Sequence, residues 1–157
     1  MAYELVGRSL RVSAPGGDTY AVIVETEAYG DADDPASHAA FRPGGRAAIM
    51  AEGPGQVYVY SAYGMYPCFN IVTGPPGEAS AVLVRGVWRK GDARPVFGPG
   101  RTTRLLGIEP ADHGQALPGD RFGVSVAREH FHIARTARIG ITRAVETEWR
   151  FVAALEK

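Results

Sequence analysis

The chain has 157 residues, of which 45% are hydrophobic and 22% charged, a length and composition typical of one globular domain. Seventeen Lys and Arg residues balance seventeen Asp and Glu residues, which excludes a strongly basic protein but leaves room for a local basic face. The single cysteine, Cys68, excludes an internal disulfide framework, and no apolar run is long enough to cross a membrane.

The first third of the chain predicts a short helix, a hairpin and a long loop. A helix or turn is expected over Tyr3–Val6, and alternating apolar residues predict a strand around Leu10 and Val12. A turn rich in glycine separates it from a second strand over Tyr20–Tyr29. The segment Asp31–Gly55 carries repeated Pro and Gly signals and is predicted to be loop.

The remaining two thirds predict short strands separated by turns and one helix. The helix is expected over Thr102–Leu106, before Gly107, and Glu109–Asp120 is expected to be loop. The strand candidates are Val57–Ala62, Asn70–Thr73, Ala81–Val87, Phe122–Ala127, Arg138–Ile141 and Trp149–Ala153. The pattern predicts a single α+β domain over residues 1–157, with a curved, mainly antiparallel sheet and flanking short helices.

Two glutamates and a tyrosine share one face of the second predicted strand. The period of two places Glu25, Glu27 and Tyr29 together. The opposite face, expected to meet the core, holds Val22, Val24 and Ala28. His38 follows a turn and can return to the same place, so an aromatic ring and a carboxylate could contact one flat substrate. The same spacing also fits a solvated sheet face with a half-buried tyrosine.

Four tyrosines lie within nine residues, at Tyr58, Tyr60, Tyr63 and Tyr66. Aromatic side chains stack on nucleic-acid bases with about 1–3 kcal/mol per base. A ring at a hairpin tip can also fill the space that a flipped nucleotide leaves. An aromatic strand packed in the core has the same spacing, so both interpretations stay open.

Taken together, these segments resemble the alkyladenine DNA glycosylase family, also called the 3-methyladenine or methylpurine DNA glycosylase family. The resemblance is carried by Glu25–Tyr29, Ser37–His38, Tyr58–Asn70 and Val82–Arg85. Later landmarks of the family follow in the expected order, at Gly98–Gly100, Leu106–Ile108, Arg138–Ile141 and Trp149–Phe151. The similarity therefore spans nearly the whole chain, and it implies the family's fold, with a protruding hairpin that inserts into the DNA minor groove.

The resemblance implies two catalytic residues and no cofactor. Glu27 would orient and deprotonate the attacking water, and Arg85 would help to hold that water. No lysine occupies a matching nucleophile position, so a monofunctional hydrolase is expected. No metal site is expected either, because the three aspartates at positions 31, 33 and 34 fit a solvated turn better than a metal-binding loop.

The resemblance also assigns the residues that would hold DNA. Tyr29 and His38 would lie on one face of a flipped base, and Tyr60 on the other. Asn70 would sit at the purine edge and exclude normal guanine. Tyr63 would be the residue left in the minor groove.

The implied activity is the release of damaged purines from double-stranded DNA, which initiates base excision repair. The expected substrates are 3-methyladenine and 7-methylguanine, with hypoxanthine and ethenoadenine as further candidates. We expect a monomer in the bacterial cytoplasm, because the chain shows no signal peptide. Two alternatives are a damage-binding protein of the same fold with little hydrolysis, and a nucleosidase acting on free nucleosides.

Overall fold

The longest strand, β2 (Gly17–Tyr29), lies at the centre of the fold and pairs along both of its edges. In the computed structural model, which describes residues 1–155, β1 (Arg8–Ala14) and β9 (Arg150–Ala154) pair with successive parts of one edge. The other edge pairs with β5 (Ala81–Arg89). The predicted hairpin of β1 and β2 is therefore confirmed, and β2 connects the strands on its two sides.

The other strands extend the same antiparallel sheet. They are β3 (Val57–Ala62), β4 (Tyr66–Val72), β6 (Val96–Phe97), β7 (Phe122–Arg128) and β8 (His132–Thr136). The main path of the sheet runs β3-β4-β5-β2-β1-β7, with β6 added to β5, and β8 added to β9. The predicted α+β class with a mainly antiparallel sheet is confirmed.

Short helices cover the sheet. They are α1 (Ala2–Leu5), α2 (His38–Phe41), α3 (Pro99–Leu106) and two 3₁₀ helices at Gly45–Ala51 and Pro110–Asp112. The helix α3 begins with a proline and ends at Gly107, whose φ of 65° is a left-handed C-cap. Within residues 1–155, no helix is long and apolar enough to cross a membrane.

The main core lies between the sheet and the helices α1 and α3. It is formed by buried side chains from at least five strands, namely Leu10, Val12, Ile23, Val57, Val59, Phe69, Ile71, Val84 and Phe122. The rings of Phe69 and Phe122 lie 5.1 Å apart between centroids. Burial of each such ring stabilises the fold by about 1.5–3 kcal/mol.

The expected faces of β2 are partly wrong. Ala21 and Ile23 pack in the main core, whereas Val22 and Val24 belong to a separate cluster with Ala153. The register with β5 shifts on both sides of Glu25, and such a shift changes which side chains face the core. Ala28, beyond the shift, packs against the main core as expected.

Three other predictions about elements are wrong, and one strand was not predicted. The predicted loop Asp31–Gly55 contains α2 and the longer 3₁₀ helix, and the predicted loop Glu109–Asp120 contains the shorter one. The predicted strand Arg138–Ile141 is irregular, because Gly140 has a φ of 74° and Arg138 is buried in an ion pair. The edge strand β8 was not predicted, since its side chains are mostly exposed and its sequence shows no apolar alternation.

Candidate active site

A cavity of about 1050 Å³ opens beside the carboxyl-terminal end of β2 and the hairpin of β3 and β4. The irregular segment 139–143 forms part of its wall. Six of the seven residues predicted for the site line it, namely Tyr29, His38, Tyr60, Tyr63, Asn70 and Arg85. The seventh, Glu27, lies directly behind the wall that Tyr29 and Ile139 form.

The Glu27 carboxylate is held by donors on both of its oxygens. The hydroxyl of Tyr29 donates to Oε2 at 2.7 Å, and the backbone N–H of Ile139 donates to Oε1 at 2.7 Å. The Arg85 guanidinium lies 3.5 Å from Oε1, measured at Nε. Glu27 is 0% exposed, so the solvated-face interpretation of this strand is wrong.

Glu25 holds Arg85 beside Glu27. Its Oε1 accepts a hydrogen bond from Arg85 Nε at 3.2 Å and another from Arg150 Nε at 2.6 Å. Both carboxylates are buried and adjacent, and the two arginines compensate their charge. Arg85 is therefore fixed by one glutamate next to the other, with its side chain partly open to the cavity.

Burial raises the pKa of Glu27 above its usual range, although Arg85 and the hydrogen bonds from Ile139 and Tyr29 oppose that rise. Burial, together with the neighbouring Glu27, also raises the pKa of Tyr29, which therefore stays protonated and keeps donating to Glu27. A carboxylate with a raised pKa is a better proton acceptor near neutral pH than an ordinary glutamate.

His38 contacts two tyrosines of β3. Its Nδ1 is 2.7 Å from the hydroxyl of Tyr58, and its ring meets the ring of Tyr60 edge to face at 4.5 Å between centroids. Burial and the nearby Arg42 lower the pKa of His38, so the ring is neutral near neutral pH. A base can stack between two rings only if the rings stand about 7 Å apart, which is twice the ordinary contact distance between carbon atoms. The predicted pair of His38 and Tyr60 is thus in mutual contact, without that gap.

The side chain of Asn70 is fixed in the cavity wall. Its amide nitrogen donates to the backbone carbonyls of Tyr58 and Cys68, at 3.2 and 3.4 Å. Because β3 and β4 both hold it, the side chain cannot rotate away from an incoming ligand.

The hairpin of β3 and β4 carries Tyr63 at its tip. Tyr63 and Gly64 both have positive φ, 52° and 63°, as in a type I′ turn closed by the Met65 N–H to the Ala62 carbonyl at 2.9 Å. Tyr63 is 83% exposed. Next to the tip, a Cβ added to Gly100 of α3 would lie 2.6 Å from the ring of Tyr66, so close packing of this helix supports the end of the hairpin that carries Tyr63.

Three exposed arginines also line the cavity, namely Arg42, Arg46 and Arg143. The side chain of Arg46 is held by the carbonyls of Val59 and Pro110, at 3.1 and 2.8 Å. The chain as a whole is neutral, so these arginines give the cavity a positive rim that the total charge does not reveal.

A sequence model described as methylpurine-DNA glycosylase matches residues 1–157, the whole chain. The chain belongs to this family. Relatives carrying the name "Putative 3-methyladenine DNA glycosylase" come from Granulibacter bethesdensis at 43% identity, covering 98% of this chain and 78% of the relative. Others come from a Synechococcus species at 41% identity, covering 96% and 88%, and from Ehrlichia chaffeensis at 35% identity, covering 97% and 85%.

Membership makes this protein a hydrolase of N-glycosyl bonds in DNA and an enzyme of base excision repair. Its substrate is therefore DNA. Among residues 1–155, no group of three or more His, Cys, Asp or Glu side chains is placed to hold a metal ion.

The sequence did not predict one buried ion pair next to this candidate site. Asp34, expected in a solvated turn, is buried and accepts two hydrogen bonds from Arg138, at 2.7 and 2.9 Å. Burial acts to raise the pKa of Asp34, but the bonds from Arg138 and from backbone N–H groups outweigh it, and the pKa is lowered. The two residues are 104 positions apart, so no local pattern could have paired them.

Proposed function

We propose that this protein flips an alkylated purine from duplex DNA into the cavity and hydrolyses its N-glycosidic bond with a water that Glu27 activates. The observation that carries the proposal is the buried Glu27 carboxylate, oriented by Tyr29, Ile139 and Arg85 at the wall of an aromatic cavity. A carboxylate opposite the leaving group, with room for water, is the arrangement of inverting glycosyl hydrolysis.

In the proposed reaction the water oxygen bonds to C1′ of the deoxyribose, and the bond from C1′ to the purine nitrogen breaks. The bonding electrons stay on the purine and neutralise the positive charge of an alkylated ring, so this base leaves without an acid. The water proton passes to Glu27, and Arg85 holds the water. Since Glu27 is covered, the Ile139 side chain and the segment that follows it must shift slightly to admit the water, while the Ile139 N–H keeps its bond to Oε1.

The flipped base would stack with Tyr29 and His38 on one face and Tyr60 on the other. Because the rings of His38 and Tyr60 touch, the base must separate them on entry. A cationic purine between aromatic rings gains about 0.5–2 kcal/mol from cation–π attraction. Asn70, held by two carbonyls, would then exclude unmodified guanine by contact with its exocyclic amine.

The strained backbone of Tyr63 supports its proposed role in the minor groove. A tyrosine with positive φ costs about 1–2 kcal/mol relative to an ordinary conformation, and such strain is typical of functional positions. An exposed ring at that tip can occupy the gap that a flipped nucleotide leaves.

The preferred substrates are inferred to be 3-methyladenine and 7-methylguanine in double-stranded DNA. Hypoxanthine and ethenoadenine are neutral, so their release needs a proton donor and should be slower. We further infer that residues 1–157 act as one glycosylase domain and as a monomer.

The test is a single-turnover assay with duplex oligonucleotides that carry 7-methylguanine, hypoxanthine or ethenoadenine, with free 7-methylguanosine alongside. We expect base release from duplex DNA, fastest for 7-methylguanine and much slower for the free nucleoside. Tight lesion binding without release at any enzyme excess would indicate a damage-binding protein. Equal rates on nucleoside and duplex would indicate a nucleosidase.

A further inference from the structure

The ion pair of Asp34 and Arg138 is the most deeply buried pair of opposite charges among the described residues, with side chains 2% and 0% exposed. Removing two charges from water is costly, and buried pairs of this kind contribute little to stability compared with apolar packing. In addition, Nε of Arg138 has no hydrogen-bond acceptor within residues 1–155. The pair is therefore a poor stabilising device, and its location suggests another role.

Arg138 adjoins two of the three groups that orient Glu27. Its guanidinium lies 4.8 Å from the ring of Tyr29, whose hydroxyl donates to Oε2 of Glu27. The next residue along the chain, Ile139, donates its backbone N–H to Oε1. Arg138 also donates to the carbonyl of Ala28 at 3.0 Å, which fixes it to the strand that carries Glu27.

Asp34 extends the same connection to the other side of the cavity. It accepts hydrogen bonds from the backbone N–H groups of Gly30 and Ala36, at 2.9 and 3.2 Å. Its own carbonyl accepts from the N–H of Ser37, the N-cap of the helix that begins with His38. One carboxylate thus connects Arg138 to the segment that presents His38.

We propose that Asp34 and Arg138 are positioning residues, which hold the Ile139 N–H and the Tyr29 hydroxyl on Glu27 while fixing the start of the His38 helix. The inference rests on the proposed function, because it assumes that Glu27 activates the water. Neither residue lines the cavity, and Arg138 meets the groups around Glu27 only through the ring of Tyr29 and its chain neighbour Ile139.

The test is the pH dependence of single-turnover base release from 7-methylguanine duplex DNA by Arg138→Lys and Asp34→Asn. Arg121→Lys is the matched control, since Arg121 makes a comparable two-bond pair with Asp112 outside the cavity, at 2.6 and 2.9 Å. Circular dichroism establishes folding of each variant. Wild type and Glu27→Gln are measured in the same series.

We expect Arg138→Lys and Asp34→Asn to release base about 10- to 100-fold more slowly near neutral pH, the loss typical of a misplaced catalytic group. We also expect the acid limb of the pH–rate profile of Arg138→Lys, which keeps the positive charge at this position, to move to higher pH. Burial raises the pKa of Glu27, and the hydrogen bond from the Ile139 N–H opposes that rise. Loss of this bond should therefore raise the pKa of Glu27 further. The charged or titratable groups around Glu27 are Glu25, Tyr29, Cys68, Arg85, Arg138 and Arg150, and Arg138→Lys keeps the charge at each of these positions.

If the substitutions only loosened the packing, water would reach Glu27 and lower the pKa of this buried carboxyl. The acid limb would then move to lower pH. An unchanged or downward-shifted acid limb in Arg138→Lys, with the control like wild type, would overturn the positioning role. Failure of both variants to fold while Arg121→Lys folds would also overturn it, in favour of a folding role. If wild type releases no base, or Glu27→Gln releases it at the wild-type rate, the proposed function itself is wrong.

Discussion

Glu27 combines complete burial with three polar contacts, and this combination has a consequence for stability as well as catalysis. Burial disfavours the charged carboxylate, and the partners recover only part of that cost, so the pKa is raised in the folded protein. The folded state then binds the Glu27 proton more tightly than the unfolded chain does. The contribution of Glu27 to stability is therefore fully present below the ordinary glutamate pKa of the unfolded chain. It is lost as the pH rises through the raised pKa of the folded protein.

Glu27→Gln should therefore gain stability relative to wild type as pH rises through this window. Glutamine is similar in shape and can still accept from the Ile139 N–H, but it carries no charge to bury. The measurement is the free energy of unfolding in urea for both proteins, at pH values below and above the window. A stability difference that stays constant or falls with pH would show that the carboxylate is not destabilised by burial.

At the scale of elements, the tip of the β3–β4 hairpin favours function over turn stability. A type I′ turn prefers Asn-Gly at its centre, whereas this chain places Tyr63 before Gly64. The ring is exposed and contributes no core packing. Such a residue is expected where the turn must present a large side chain to a ligand.

Tyr63→Asn should raise the free energy of unfolding by about 0.5–1 kcal/mol, because asparagine tolerates positive φ. The same variant should bind lesion-containing duplex more weakly, since it cannot fill the gap beside a flipped base. Thermal or urea unfolding and a binding titration measure the two effects. Unchanged lesion affinity would rule out the proposed insertion of Tyr63.

Elements with regular apolar alternation could be predicted from the sequence, and elements set by distant contacts could not. The strand β3 occupies the predicted residues Val57–Ala62, because its alternation is uninterrupted. The helix α2 has only four residues, too few for a helical period to be visible. Arg138 is held away from a regular strand by Asp34, 104 positions earlier, a contact that no local pattern encodes.

The residues of the candidate site could be predicted mainly because the family resemblance aligned them. The spacing of Glu25, Glu27 and Tyr29 alone left a solvated face open, and only the structure shows both glutamates buried. The contact of Tyr58 with His38 was not predicted either, because it depends on how the chain returns after residues 30–37.

At the scale of the whole molecule, the distribution of charge matters more than its total. The chain has no net charge, yet Arg42, Arg46 and Arg143 are exposed around the cavity. Each arginine that contacts a phosphate releases condensed counterions from DNA and strengthens the dependence of affinity on salt.

Arg143→Ala should weaken binding to damaged and undamaged duplexes alike, and lower the slope of log affinity against log salt by about one. Lys90→Ala is the control, because Lys90 is exposed but does not line the cavity. Fluorescence anisotropy titrations over a range of salt concentrations measure both. An unchanged slope for Arg143→Ala would place the DNA backbone elsewhere on the surface.

The most direct test of the central claim compares wild type and Glu27→Gln in single-turnover release of 7-methylguanine from duplex DNA. We predict a rate about 10²–10⁴-fold lower for the variant, the usual contribution of a general base, with lesion affinity retained. Release by Glu27→Gln at the wild-type rate would contradict the claim that this buried glutamate activates the water.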